Sequence, residues 1–183
     1  KYIVFSPPNV RVEGGDVLLN NEYIFIGYSE DDDFKKYIVS RTNKNAISFI
    51  QKLFPNKNVV GFELNKSDTD PRKNALHLDC CFQPIGYNKA IIYKKGFKNK
   101  RDVNFLIDYF GKENIIEIDT EEMYNMNSNI FSISEKVVVS DKSFFRLNSV
   151  LKELGFIVEE ITYLETAKME GLFRCSTMPL IRE

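Results

Sequence analysis

Three times in succession the chain spells the same order: apolar run, turn, apolar run, helical spacing, apolar run. In the first pass Val17 to Leu19 and Tyr23 to Gly27 flank Asn20-Asn21-Glu22, a hairpin-type turn. Ala46, Ile47, Phe49, Ile50, Leu53 and Phe54 then recur at helical spacing until Pro55 stops the pattern, and Val59 to Leu64 reads as a strand. In the second pass Leu76 to Phe82 and Ala90 to Tyr93 read as strands around a turn at Gly86 to Lys89. Val103, Leu106, Ile107 and Phe110 mark its helix, ended by Gly111, and Ile115 to Ile118 its last strand. The third pass pairs Ile130, Phe131 and Ile133 with Val137 to Val139, adds a helix through Phe144, Leu147, Val150, Leu151 and Leu154, and closes on a strand at Phe156 to Ile161. Leu172 to Cys175 opens a fourth pass.

Such repetition fixes the architecture, because each strand, strand, helix, strand unit hides its apolar face against a neighbour. The expected class is α/β, built from about three and a half copies of a ββαβ unit within a single domain over residues 1–183. A hydrophobic content of 43% suffices for its core. With 25 basic and 26 acidic side chains there is no basic field for nucleic acid, and no apolar run approaches a membrane span. The expected partner is a small molecule. Three cysteines, two of them adjacent, cannot build a disulfide framework, which points to a cytoplasmic setting. Lys1 opens directly into an apparent strand, Tyr2 to Phe5, so the natural N-terminus is expected to lie further upstream.

Three chemically loaded stretches fall at the starts of units: Glu13-Gly14-Gly15-Asp16, His77-Leu78-Asp79-Cys80-Cys81, and Arg174-Cys175. Equivalent positions in units arranged around an axis converge on that axis. If His77 to Phe82 is a strand, His77, Asp79 and Cys81 share one face and Leu78, Cys80 and Phe82 the other. An imidazole can take and return a proton, a nearby carboxylate can orient it or bind a cation, and a thiol becomes a nucleophile beside positive charge. Ordinary alternatives stand beside each reading: a satisfied core histidine, a buried apolar thiol, a glycine turn entering a hairpin. Cys80 and Cys81 are read as core. A single histidine and no CxxC pair argue against a metal, and no cofactor is called for.

Taken in order, EGGDVLL (Glu13 to Leu19), SRTN (Ser40 to Asn43), HLDCCF (His77 to Phe82), NSNIF (Asn127 to Phe131) and RCSTMPLIR (Arg174 to Arg182) resemble the blocks of the guanidino-group modifying, or pentein, superfamily. That superfamily holds arginine deiminases, dimethylarginine dimethylaminohydrolases and amidinotransferases. The resemblance implies a five-bladed α/β propeller with its active site on the pseudo-fivefold axis. It implies Cys175 as nucleophile, His77 as general acid and base, and Glu13 and Asp79 as carboxylates gripping the guanidinium. Arg41, Asp16, Asn127 and Arg174 are implied as substrate-binding or pocket-wall residues. A further aspartate usual in the family, in a block like Arg-Asp-Pro, has no counterpart; Asp70-Pro71-Arg72 has similar letters in another order. About one and a half blades are therefore expected ahead of Lys1, from a preceding segment or a second chain. The implied activity is hydrolysis of a guanidino compound through a covalent thiouronium. Amidino transfer to an amine, and a truncated non-catalytic fragment, are the alternatives.

Overall fold

A computed structural model describes residues 6–169 and 171–177. It contains three separate three-stranded sheets, each with two antiparallel strands followed by a third parallel to the second. The first unit comprises β1 (Val17–Asn20), β2 (Tyr23–Tyr28), the short helix α1 (Asp33–Lys36), α2 (Asn45–Leu53) and β3 (Asn58–Glu63). The second comprises β4 (Phe82–Ile85), β5 (Lys89–Ile92), α3 (Lys100–Phe110), β6 (Ile115–Glu117) and the short α4 (Thr120–Tyr124). The third comprises β7 (Phe131–Ser132), β8 (Val137–Asp141), α5 (Phe145–Glu153) and β9 (Ile157–Ile161), with α6 (Leu164–Ala167) after it.

The hairpins of the first two units each turn through one residue suited to positive φ, Asn21 at 49° and Gly86 at 56°. Each parallel third strand then needs a long crossover, which the helix supplies. The crossover helices of units two and three stop at Gly111 and Gly155, both with φ above 80°. Amphipathic spacing works as expected: α2 buries Ala46 and Ile50 against Ile24 and Ile26 of β2. The larger core runs continuously through all three units, from Leu18 to Phe173. Between units one and two it is aromatic, with Phe25, Phe62, Phe82, Phe97 and Phe105 in stacked, edge-on and tilted contacts at 5.5 to 6.4 Å. Such pairs each add roughly 0.5–1.5 kcal/mol beyond the area they bury.

Two expectations need correction. Leu76 to Phe82 is not a strand: Leu78–Cys80 is a turn of 3₁₀ helix, and pairing with β5 begins only at Phe82. The amides of Cys80 and Cys81 donate to the carbonyls of His77 and Leu78, so the segment satisfies itself rather than a neighbouring strand. The strict alternation of faces therefore fails, and Leu78, Asp79, Cys80 and Cys81 are all buried. Likewise, Phe173 to Ser176 is a turn, not an opening strand, with the Ser176 amide donating to the Leu172 carbonyl. The apparent strand Tyr2 to Phe5 lies outside the described residues.

Candidate active site

Two of the loaded stretches sit on turns that lead into the first strand of a unit, and the third, Arg174-Cys175, sits on a turn of its own. Glu13 precedes the 3₁₀ turn Gly14–Asp16 as His77 precedes Leu78–Cys80, both in extended backbone. These two entry residues meet: His77 Nε2 lies 2.7 Å from Glu13 Oε2. Gly15 makes the approach possible, since a β-carbon there would stand 2.8 Å from the imidazole ring. The SRTN stretch holds the backbone that carries Glu13. Thr42 Oγ1 accepts from the Glu13 amide at 3.0 Å, Asn43 accepts from the Arg11 amide, and Arg41 Nη1 stands 3.9 Å from Glu13 Oε1.

A second cluster surrounds the sulfur of Cys175. Asn129 Nδ2 donates to Sγ at 3.2 Å, and Sγ lies 3.6 Å from Asp79 Oδ2. The other oxygen of Asp79 faces Cys80 Sγ at 3.8 Å. Asn129 also fixes the turn itself: its Oδ1 accepts from the amides of Leu172 and Cys175, and its carbonyl accepts from Arg174. Ser128 Oγ donates to the Asp79 carbonyl, so the NSN stretch holds both the thiol turn and the aspartate turn. Gly171 is pressed against Cys175, where a β-carbon would come within 2.9 Å of the cysteine Cβ.

Electrostatics follow from this packing. Burial pushes the Asp79 carboxyl up to about 6, against the opposing pull of His77 and Arg174. Packing around the Cys175 sulfur, and then the Asp79 charge, push that thiol up to about 11, while Asn129 pulls it down. At neutral pH the resting group is the thiol. Cys80 and Cys81 are buried with pKa values raised by burial, matching their reading as core.

Of the eight residues singled out from sequence, Glu13, His77 and Arg41 form the first cluster and Asp79 and Cys175 the second; His77 and Asp79 belong to one turn. Arg174 reaches back to the Val17 carbonyl at 3.5 Å, which ties the last turn to the first unit. Asp16 is buried beneath the surface, with Oδ1 accepting from the Leu78 amide at 2.9 Å. Asn127 is buried, and its Oδ1 has no protein partner among the described residues. Asn129, which the sequence reading passed over, donates to the sulfur beside Asp79; its repeat-equivalent place just ahead of β7 was the available clue. A mostly apolar cavity of about 530 Å³ lies behind Cys80, lined also by Val39, Leu76, Met126 and Leu164; His77, Asp79 and Cys175 do not line it.

A family model described as N,N dimethylarginine dimethylhydrolase, eukaryotic, matches residues 2–182. The chain belongs to the dimethylarginine dimethylhydrolase family. This places it in the pentein superfamily that its motifs resemble. Among sequence relatives of this family member, the uncharacterized protein YkgA of Bacillus subtilis (strain 168) is 30% identical over 175 residues, covering 95% of the chain and 54% of YkgA. An arginine deiminase of Staphylococcus haemolyticus is 29% identical over 211 residues, covering 97% of the chain and 49% of the deiminase. The chain thus spans about half the length of the curated relatives it matches. The fold matches the N-terminal domain of ArgZ, an arginine dihydrolase from cyanobacteria, with a TM-score of 0.77 at 23% identity, over 94% of this chain and 57% of that one. It also matches DDAH from Pseudomonas aeruginosa, complexed with citrulline, with a TM-score of 0.70 at 20% identity, over 92% of this chain and 56% of that one. Both likenesses show the pentein fold.

Proposed function

We propose that the protein hydrolyses a guanidino compound of the arginine or methylarginine type through a covalent thiouronium on Cys175. The observation that carries this reading is the sulfur set between the Asn129 amide and the Asp79 carboxylate, with His77 paired to Glu13 at the entry of the same turn as Asp79. A thiol raised to about 11 beside a carboxylate is a poor nucleophile until a cation arrives. A guanidinium supplies that charge. Clamped against Asp79, it offsets the carboxylate that disfavours the thiolate and brings its central carbon to the sulfur.

The Cys175 sulfur then bonds to that carbon, and its proton leaves through His77. Collapse breaks a carbon–nitrogen bond, with His77 protonating the departing ammonia or amine. Water, deprotonated by His77, attacks the thiouronium carbon; the carbon–sulfur bond breaks and a ureido product leaves. Glu13, 2.7 Å from Nε2, orients the imidazole. Arg41, exposed and 3.9 Å from Glu13, would meet a carboxylate at the far end of the substrate.

The test incubates the protein with arginine, N-methylated arginines and an acceptor amine, and reads ureido product, released amine and amidino transfer side by side. Ureido product with matching amine release is expected. Cys175→Ala should reduce turnover to background, and full turnover by that variant would sink the reading. Transfer to the acceptor without ureido product would replace hydrolysis by amidino transfer.

A further inference from the structure

Lys66 is the one basic side chain buried among the described residues, and it lies outside the chemistry above. Its Nζ donates to the Ala75 carbonyl and to the Leu76 carbonyl, each at 2.7 Å. Leu76 immediately precedes His77. On the other side, the Leu78 amide donates to the buried carboxylate of Asp16 at 2.9 Å. The histidine is therefore strung between two peptide groups, one held by a buried cation and the other by a buried anion. Its ring lies against Gly15 and pairs with Glu13, so the backbone around His77 sets where the imidazole stands.

Burial pushes the Lys66 ammonium down from its ordinary value, and Asp16 is the strongest charge pulling it back. Burial pushes the Asp16 carboxyl up, with His77 and then Lys66 pulling it down. Buried opposite charges of this kind are seldom needed for stability alone, since apolar groups of similar volume commonly serve as well. They do hold polar backbone in one arrangement, because any shift leaves a charge without its partner.

We infer that Lys66 is a positioning residue for His77, holding the Leu76 carbonyl while Asp16 holds the Leu78 amide. The inference rests on the reading of His77 as the proton carrier. It predicts an effect on the rate of chemistry with little effect on substrate binding, since both side chains are buried and bonded to backbone.

His77 is the only histidine in the chain, so its ring can be observed without ambiguity in a nitrogen-15 correlation spectrum. Unmodified protein should give one narrow set of ring signals. Lys66→Met should split or broaden them. It should also lower kcat about tenfold to a hundredfold, with KM within about twofold. Because Lys66→Met leaves Asp16 without its counter-charge, the paired change Asp16→Asn with Lys66→Met is made beside it. An asparagine there still accepts from Leu78, and no lone buried charge remains. The same ring disturbance is expected in the pair. A variant that melts cooperatively, yet keeps the wild-type ring signals and kcat, overturns the inference. If the unmodified protein turns over no guanidino compound, the proposed function fails, while the ring signals still judge Lys66.

Discussion

Gly14–Asp16 and Leu78–Cys80 are one backbone device used twice: an extended entry residue, a single 3₁₀ turn, and then the first strand of a unit. Their entry residues, Glu13 and His77, pair with each other. Beyond that point they diverge. In the first turn the carboxylate is the last residue, Asp16, which faces inward and takes the Leu78 amide. In the second turn the carboxylate comes one residue earlier, at Asp79, and faces Cys175, while the last place belongs to the buried Cys80. Moving a carboxylate by one residue along a turn that bends sharply changes it from a strut into a group that touches the Cys175 sulfur.

The largest test of this contrast exchanges charge for amide or methyl at the two aspartates. Under the proposed guanidino chemistry, Asp79→Asn should lower kcat/KM on the order of 10²–10³-fold, because the charge that would face the guanidinium is lost. Stability should move the other way. The Asp79 pKa in the fold, about 6, lies above its ordinary 3.8, so the folded state holds its proton more tightly than the unfolded chain does. Stability from this group is greatest at low pH and is lost as pH rises from about 4 to about 6. Asp79→Asn should therefore flatten that part of the pH–stability curve and raise stability at pH 7 by up to about 3 kcal/mol. Asp16→Ala should do the opposite at neutral pH, destabilising by roughly 3–5 kcal/mol, since it strands both Lys66 and the Leu78 amide. Thermal melts from pH 4 to 8 beside kcat/KM values separate the two. Equal effects of the two substitutions on rate and on stability would erase the distinction.

Next in size is Gly15→Ala. The added methyl would meet the His77 ring at 2.8 Å and displace the imidazole from Glu13. A misplacement of about 1 Å can lower a rate about a hundredfold, and steady-state kinetics should show that loss chiefly in kcat. A Gly15→Ala protein with unchanged kcat would mean that the ring's position is not set by this contact.

Much of this was legible before any coordinates. The β1–β2 hairpin, the amphipathic α2, and the glycine stops after α3 and α5 follow from spacing that each unit repeats. The turn at Leu78–Cys80 was not, because HLDCCF alternates well enough to pass for a strand; what bends it is the Asp16 carboxylate, which comes from 62 residues away. Asn129 was missed for a related reason. Its value lies in three side-chain contacts to a turn more than 40 residues later, which its place just ahead of β7 does not by itself reveal. Nothing in the sequence singles out Lys66, which is buried. The α4 helix, by contrast, was announced by the capping box of Asp119 and Glu122, a pattern available in the sequence and not read.

A smaller effect concerns the thiol itself. With Cys80 and Cys81 buried, alkylation should fall on Cys175, and its rate should rise about tenfold per pH unit between pH 7 and 10, below a pKa of about 11. The Asp79 charge contributes to that raised value, so Asp79→Asn should alkylate several-fold faster at pH 7, whereas Asp16→Asn should match the wild type. Peptide mass analysis after a short pulse of iodoacetamide reads both. Faster labelling in the Asp16 variant would show that the two carboxylates are not separated as their contacts imply.

The smallest expected effect lies beside one of the larger ones. A β-carbon on Gly14 would meet nothing within 4 Å, and its backbone is not among the positive-φ glycines. Gly14→Ala should therefore leave kcat within about twofold. It should raise stability by about 0.4–1 kcal/mol, because alanine restricts the unfolded chain without straining the fold. Adjacent glycines in one turn would then answer differently to the same methyl, and only the one under the imidazole would be needed for chemistry. Loss of activity in Gly14→Ala would indicate that the whole turn, not the single contact between Gly15 and His77, must flex or make room during the reaction.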